Sequence, residues 1–142
     1  MEEKLRVLSI DDEADFCYFV KKNLMQTGLF DVDVADNGAD GVKQAIKVKP
    51  DIILLDLFMP DMPGEDIAAA LQETITTKNI PIIYITALAS NEDVQKGENY
   101  KMGDSYILPK PVRTKKLIET IMRILGTRNI QQGAEGNKNY FM

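Results

Sequence analysis

Short β-branched, apolar segments alternate with helix-like segments along most of this chain, and this order restricts the possible folds more than any other feature. Five segments have the composition of strands, namely residues 5–10, 30–35, 51–56, 82–86 and 105–108. Strands that are separated by helices run parallel and are joined by right-handed crossovers. The pattern therefore predicts an α/β fold, in which a doubly wound, five-stranded parallel sheet is covered by five helices.

The five helical segments differ in how clearly their apolar residues follow a helical period. The fifth is the most regular, and Gly126 is expected to end it, as Gly28 is expected to end the first. The fourth has the weakest period, because residues 90–102 are mostly polar and include Gly97. The apolar positions of the other four are Phe16, Phe19, Val20 and Leu24; Val42, Ala45 and Ile46; Ile67, Ala68 and Leu71; and Leu117, Ile118, Ile121, Ile124 and Leu125.

Composition and length point to a soluble protein with one main domain. The net charge of −5 argues against direct binding to nucleic acid. No apolar run approaches the roughly 20 residues of a membrane span, and the N-terminus lacks the pattern of a secretory signal. A cytoplasmic location without membrane contact is therefore expected. Residues 1–126 are expected to form the domain, and the polar residues 127–142 a tail or the stub of a linker.

The chain has no histidine and a single cysteine, Cys17, which limits its chemistry. Without histidine, Ser-His-Asp and Cys-His catalysis and histidine-ligated zinc are excluded. One cysteine excludes an internal disulfide, and Cys17 is expected to be a buried or half-buried thiol. Any reaction must therefore use carboxylates, hydroxyls, lysine, the backbone and a hard metal ion.

Polar residues occur where the predicted strands end. The set comprises Asp11, Asp12 and Glu13 after the first strand, Asp56 at the end of the third, Thr86 at the end of the fourth and Lys110 after the fifth. In doubly wound sheets, ligands bind outside the carboxyl ends of the strands. Each residue alone also has a structural explanation, such as a helix cap or an ion pair. Their joint occurrence at one edge favours a functional site.

The charges of this set indicate what the site would bind. Three aspartates brought together repel one another, and one lysine cannot balance them. A divalent metal ion is the natural complement, and oxygen ligands suit Mg²⁺, with Mn²⁺ fitting similar ligands. Carboxylates, a hydroxyl, a lysine and such an ion can stabilise a phosphoryl group in transfer. A carboxylate can also be the nucleophile and form an acyl phosphate.

Four motifs, "SIDDE", "IILLDLFMPDMPG", "YITA" and "PKP", resemble the receiver domain of two-component response regulators in identity and order. The resemblance spans about residues 4–126 and implies the flavodoxin-like topology of that family. It also implies that Asp56 accepts a phosphoryl group from the phosphohistidine of a sensor histidine kinase or phosphotransfer protein. Such a domain catalyses its own phosphoryl transfer and dephosphorylation and is not a turnover enzyme.

The resemblance assigns roles to the neighbouring residues. Asp12, Asp56 and the carbonyl oxygen of Phe58 would ligate Mg²⁺, with Asp11 acting directly or through water. Thr86 and Lys110 would bind the phosphoryl group, and the small Ala87 would leave room for it. The Lys110–Pro111 peptide bond is expected to be cis, an isomer that is accessible before proline.

The output surface implied by the family comprises the fourth helix, fifth strand and fifth helix, which would contact a downstream effector or output domain and could form a homodimer. Thr86 would act together with an aromatic residue three positions before the lysine. Here that position holds Ile107, and Tyr106 lies one residue earlier. Adjacent strand residues face opposite sides of a sheet, so Ile107 is the favoured occupant unless a bulge shifts Tyr106.

Three other functions remain open at this point. A phosphatase or phosphotransferase with an aspartyl-phosphate intermediate would have a second acid two residues after Asp56, where this chain has Phe58. A nucleotide- or flavin-binding module lacks support, because neither GxGxxG nor GxxxxGK[ST] occurs in the sequence. A receiver-like interaction module that is never phosphorylated is the third, and the complete set of acids, threonine and lysine argues against it.

Overall fold

The computed structural model describes residues 3–87, 100–102 and 105–128. Within these residues, six strands form one sheet with the order β2-β1-β3-β4-β6-β5. The strands are β1 (Leu5–Ile10), β2 (Phe30–Ala35), β3 (Ile52–Asp56), β4 (Ile82–Thr86), β5 (Tyr100–Met102) and β6 (Ser105–Pro109). Five of them are parallel, and β5 pairs antiparallel with β6 at the edge. The predicted five-stranded parallel sheet is confirmed, with one additional strand.

The order of the strands reverses at β1, which places a crevice at its carboxyl end. The chain passes from β1 to β2 on one side, and β3 then pairs with the other side of β1. Helices that follow β1 and β3 therefore leave toward opposite faces of the sheet and open a gap between the two strand ends. Asp11 and Asp56 lie at this gap, because Ile10 pairs with Leu55 in the register of β1 and β3.

Four helices cover the sheet in the described residues: α1 (Ala14–Gln26), α2 (Gly38–Val48), α3 (Gly64–Gln72) and α4 (Thr114–Arg128). The helices α1 and α4 share one apolar cluster with Ile52 and Leu54 of β3. The helices α2 and α3 share the other cluster, with Ile53 and Leu55. Because β3 is covered on both faces, its side chains are apolar without alternation, as is typical of a central parallel strand.

The buried faces of α1 and α2 are narrower than the sequence predicts. Phe19 is 45% exposed and Ile46 is 40% exposed, whereas Cys17, Gly41 and Ala45 are buried. At Gly41 the helix approaches the sheet so closely that an added Cβ would lie 2.7 Å from Ile10 Cδ1. The face of α2 that contacts the sheet therefore consists of small residues. A sequence pattern based on large apolar residues does not reveal it.

The predicted fourth helix is only partly within the described residues. The sequence places that helix somewhere within residues 90–102, and the last three of these, Tyr100–Met102, form strand β5, in which Tyr100 pairs with Ile107. These three residues are extended because the free edge of β6 offers their backbone hydrogen-bond partners. The rest of that prediction lies outside the described residues.

The two glycines expected to end helices behave differently. Gly28 has a φ of 79°, in the left-handed region that glycine adopts at low cost, and it follows the end of α1 as predicted. Gly126 lies inside α4, which continues to Arg128, so the expected helix end is wrong. Glycine inside a helix costs only about 1 kcal/mol relative to alanine, and α4 is held by Leu117, Ile121 and Leu125 in the core.

None of the helices in the described residues is long and apolar enough to cross a bilayer.

Candidate functional site

Three aspartates meet at the crevice between β1 and β3. Asp11 and Asp12 follow β1, Asp56 ends β3, and one carboxylate oxygen from each of the three lies within 4.8 Å of the others. Asp11 and Asp56 are buried, with 1% and 6% exposure, whereas Asp12 is exposed. The set can bind a hard cation from the solvent side, because Asp12 is accessible and all three offer oxygen ligands.

Local backbone hydrogen bonds orient the two buried carboxylates. The amide of Glu13 donates to Oδ1 of Asp11 at 2.9 Å, and the amide of Phe58 donates to Oδ1 of Asp56 at 3.2 Å. In both cases the donor lies two residues after the aspartate, where the chain turns away from the sheet. One oxygen of each carboxylate is thereby fixed, and both Oδ2 atoms are directed toward Lys110.

Lys110 is the cation of the site. Its Nζ lies 2.8 Å from Oδ2 of Asp11 and 3.5 Å from Oδ2 of Asp56, and it also pairs with Glu13. The ammonium group lies 4.7 Å from the centre of the Phe16 ring, and the side chain is only 11% exposed. A cation in this position contributes both ion pairs and a cation–π contact in a partly dehydrated environment.

The backbone around Lys110 fixes where its side chain begins. The Lys110 amide donates to the carbonyl oxygen of Thr86 at 3.0 Å, which ties the end of β6 to the end of β4. The Lys110–Pro111 peptide bond is cis. The lysine is thus attached to the same sheet edge as the carboxylates and reaches them across the end of β4.

For each buried ionisable group of the site, burial and the neighbouring charges of opposite sign shift the pKa in opposite directions. Burial raises the pKa of Asp11 and of Asp56, and Lys110, together with the hydrogen bonds from the Glu13 and Phe58 amides, only partly offsets this rise. Burial would lower the pKa of Lys110, but Asp11 and Glu13 together raise it above its usual value. The lysine therefore stays charged, while burial destabilises the ionised form of the two aspartates. A divalent cation would relieve this imbalance.

Thr86 and Ala87 lie beside this cluster. Thr86 is buried at the end of β4, and Ala87, which follows it, is exposed. Because Thr86 follows Ile85, which pairs with Asp56, both residues lie at the same sheet edge as the carboxylates.

Ile107 and Tyr106 lie on opposite faces of β6. Ile107 is buried with Tyr84 in the cluster under α2 and α3, and it pairs in register with Tyr84, two residues before Thr86. Tyr106 pairs with Ile83, whose side chain belongs to the opposite cluster. The register is continuous from Tyr106 to Pro109, so no bulge exchanges the two residues. Ile107 therefore shares the face of Thr86.

Two further residues contact Lys110. The sequence places Glu13 among the polar residues of the candidate edge without a specific role, and it places Phe16 on the apolar face of the first helix. Both lie in the first turns after β1, where the chain passes close to the end of β6. A lysine contact across the sheet leaves no local pattern in the sequence, so only the fold reveals it.

Cys17 is buried, as expected, and its thiol donates to the carbonyl oxygen of Asp11 at 3.4 Å. Burial raises the pKa of this thiol to about 11, and the charge of Asp11 adds to the rise. The thiol is therefore neutral and supports the backbone that carries Asp11.

Residues 7–122 match the family of response regulator receiver domains. The chain therefore belongs to this family, and it is a receiver domain of the two-component type, the class of domain that accepts a phosphoryl group. Receiver domains act as phosphoacceptors and bind Mg²⁺ at an acidic site.

Individual relatives support the same assignment over most of the chain. It is 32% identical over 120 residues to protein PilH of Pseudomonas aeruginosa, covering 84% of this chain and 97% of PilH. It is 33% identical to the transcriptional regulatory protein CusR of Escherichia coli, covering 85% of this chain and 51% of CusR. It is 31% identical to the DNA-binding regulator RpaA of Synechocystis, covering 92% of this chain and 53% of RpaA. The chain thus spans about half the length of CusR and RpaA.

A solved structure shows the same fold. The chemotaxis protein CheY4 of Vibrio cholerae superposes with a TM-score of 0.72 at 29% identity, covering 85% of this chain and 98% of CheY4. The similarity therefore covers most of this chain and nearly all of CheY4.

Proposed function

We propose that Asp56 is the phosphoacceptor of this receiver domain. The observation that carries the proposal is the position of its carboxylate. Asp56 is grouped with Asp11 and Asp12 within 4.8 Å, and Lys110 lies 3.5 Å from its Oδ2. Of the three clustered aspartates, Asp56 is the one that ends the central strand β3, between the other two acids and Thr86 of β4.

The transfer is a substitution at phosphorus. A carboxylate oxygen of Asp56 forms a bond to the phosphorus of a phosphohistidine on a partner kinase or phosphotransfer protein. The P–N bond breaks, and its electron pair returns to the imidazole, which takes up a proton. The product is an acyl phosphate on Asp56. Hydrolysis later breaks the P–O bond to Asp56 and releases inorganic phosphate.

Asp11, Asp12, Asp56 and the carbonyl oxygen of Phe58 are proposed to hold Mg²⁺, with Mn²⁺ as an alternative of similar ligand preference. The donor set fits such an ion, because it consists of oxygens with a surplus of negative charge. When bound, the ion would neutralise charge on the phosphoryl oxygens and help to align them. Asp56 must stay ionised to act as nucleophile, and Lys110 contributes to this by lowering its pKa.

Lys110, Thr86 and Ala87 are proposed to receive the phosphoryl group. Lys110 would exchange part of its pairing with Asp11 and Glu13 for the new phosphoryl oxygens. Thr86 would donate its hydroxyl hydrogen to another oxygen, and the small Ala87 would leave room. These contacts add stabilisation through charge-assisted hydrogen bonds in a partly buried site.

Signal output is proposed to pass through the surface around β6 and α4. Movement of Thr86 toward the phosphoryl group would change the space available to Ile107, which shares its face of the sheet, while Tyr106 faces the other side. A downstream effector or an attached output domain would read the change through its different affinity for the two states. The same surface would serve a homodimer, and the location would be cytoplasmic.

Phosphorylation with a small donor tests the proposal. The purified chain is incubated with acetyl phosphate and Mg²⁺, and intact mass is measured over time. We expect a mass gain of one phosphoryl group in the wild type, none in Asp56→Asn, and none without Mg²⁺. The exposed variant Asp66→Asn serves as the control and should gain mass as the wild type does. An unmodified wild type at saturating Mg²⁺ would reject the proposal.

A further inference from the structure

The loop that follows Asp56 is attached to the neighbouring helix α2 by one side chain. Both carboxylate oxygens of Asp61 accept hydrogen bonds from the amide of Gly38, at 2.9 and 3.2 Å. Gly38 is the first residue of α2, and Asp61 is five residues beyond the end of β3. A carboxylate at this position satisfies a helix amide that lacks a partner inside the helix, and it interacts favourably with the helix dipole.

The amides at the start of α2 are divided between two acceptors. The side chain of Asn37 accepts from the amide of Asp40 at 2.9 Å, which is the usual cap within the helix itself. The amide of Gly38 donates instead to Asp61, which lies in the loop after β3. The helix therefore has its own cap, and the additional bond fixes the loop.

Besides the hydrogen bond from the Phe58 amide to Asp56, three contacts hold the loop formed by residues 57–63. At its base, the amide of Gly64 donates to the carbonyl oxygen of Leu57 at 3.0 Å. Met59 is buried in the core beneath it. Asp61 anchors the far end. Phe58, whose carbonyl oxygen is the proposed metal ligand, is 59% exposed, so packing of its side chain contributes little to its position.

The loop and α2 also touch closely beside this anchor. A Cβ added to Gly38 would lie 2.9 Å from Cβ of Met62 and 3.0 Å from Cδ1 of Ile67. The glycine thus allows the approach that the Asp61 hydrogen bonds require. A displacement of the loop end would open this contact and change the path of the chain back to Phe58.

We propose that Asp61 is a positioning residue for the metal site: its hydrogen bonds to the Gly38 amide hold residues 57–63 so that the Phe58 carbonyl stays beside Asp56. The inference rests on the proposed function, since it assumes that Phe58 contributes a metal ligand. Asp61 itself stays outside the cluster of Asp11, Asp12 and Asp56 and acts through the loop. Groups that orient metal ligands in this way typically change metal affinity by 10- to 100-fold when they are removed.

The inference is tested by measuring Mg²⁺ binding to three variants. Isothermal titration calorimetry and NMR give the affinities. Asp61→Ala removes the acceptor and should weaken Mg²⁺ binding about tenfold, near the low end of that range. Asp61→Asn removes the charge but keeps one oxygen that can accept from Gly38, so its affinity should stay within about twofold to threefold of the wild type. Asp40→Ala is the matched control, because Asp40 is bonded to Asn37 at the same helix start and not to the loop.

Each result decides one question. If Asp61→Ala binds Mg²⁺ as the wild type does, or if Asp40→Ala weakens binding equally, the inference is wrong. If Asp61→Asn is as weak as Asp61→Ala, charge and not hydrogen bonding is responsible, and the positioning role is also wrong. A wild type that does not bind Mg²⁺ would instead overturn the proposed function, which separates the two failures.

Hydrogen exchange of the wild type provides a test that does not depend on any variant. If the loop and the metal site are coupled, Mg²⁺ must slow the exchange of the Gly38 amide, because stabilising the loop stabilises its bond to Asp61. An exchange rate of Gly38 that is unchanged by saturating Mg²⁺ would contradict the coupling.

Discussion

At the level of single residues, the site depends on one lysine surrounded by carboxylates. Lys110 pairs with Asp11, Asp56 and Glu13, and it rests against the ring of Phe16. Its charge still leaves the two buried aspartates with raised pKa values, since burial outweighs the favourable pairing. The site is therefore not arranged for the stability of the free protein, and its negative charge is available to a metal ion.

The raised pKa of Asp56 predicts how stability depends on pH. A carboxyl group with a higher pKa in the folded than in the unfolded chain binds its proton more tightly when folded. The free energy of unfolding then falls as pH rises from about 4, the usual pKa of aspartate, through the raised value. In Asp56→Asn this loss is absent. Thermal unfolding with EDTA should show Asp56→Asn to be more stable than the wild type at pH 7, with a difference that shrinks toward pH 4.

The exposed Asp66 in the first turn of α3 provides the control. Asp66→Asn removes the same charge from a helix N-terminus, where it is favourable, and should not stabilise the fold. An Asp56→Asn variant that is no more stable than the wild type at pH 7 would show that the carboxylate is not under electrostatic strain.

The residues of the site were predictable to different degrees. Asp11, Asp12, Asp56, Thr86 and Lys110 could be found because each stands next to a strand end, and parallel strand ends share one edge. Glu13 could be placed at the same edge, but its pairing with Lys110 and the contact of Phe16 with this lysine could not be predicted, because both depend on how the start of α1 lies against the end of β6. The bond between Asp61 and Gly38 likewise depends on how α2 lies against the loop.

At the level of elements, glycine has two different roles in this protein. Gly41 lets α2 approach Ile10, and Gly126 lies in α4 where an added Cβ would meet nothing within 4 Å among the described residues. The first role depends on packing, whereas the second has no packing requirement. The two positions therefore predict opposite effects of the same substitution.

Alanine at Gly126 should stabilise the protein, by about 0.5–1 kcal/mol, because alanine is the better helix former and fits the space. Alanine at Gly41 should destabilise it by about 1–2 kcal/mol, since overpacking against the buried Ile10 exceeds the gain in helix propensity. Urea unfolding measures both. If Gly126→Ala were destabilising, Gly126 would have the left-handed conformation of a helix end, as the sequence suggested, and α4 would stop before it.

The elements themselves were largely predictable. All five parallel strands were found within one residue of their ends, because β-branched runs bounded by turn residues are a strong local pattern. The end of α4 and the strand Tyr100–Met102 were not, since tertiary contacts decide them: core packing carries α4 past Gly126, and the free edge of β6 recruits β5.

At the level of the whole molecule, the reversal of strand order at β1 brings together residues from four parts of the chain. Asp11, Asp56, Thr86 and Lys110 are distant in sequence, yet they share one sheet edge. A ligand that binds there connects β1, β3, β4 and β6. Its binding should therefore stabilise the fold as a unit.

Mg²⁺ is expected to raise the free energy of unfolding by about 2.7 kcal/mol at a hundredfold excess over its dissociation constant. For a domain of this size, the melting temperature should rise by several degrees. Asp12→Asn, which removes an exposed carboxylate proposed as a ligand, should lose most of this increase, whereas Asp15→Asn on the exposed side of α1 should keep it. Equal shifts in the two variants would place the ion elsewhere.

The central claim, that Asp56 carries the phosphoryl group, is tested most directly by locating the modification. The chain is treated with acetyl phosphate and Mg²⁺, reduced with borohydride, which converts an aspartyl phosphate to homoserine, and digested for peptide mass spectrometry. We predict homoserine at Asp56 and unmodified Asp11 and Asp12. Homoserine at either of the other two aspartates, or at none of the three in a chain that has gained a phosphoryl group, would contradict the assignment.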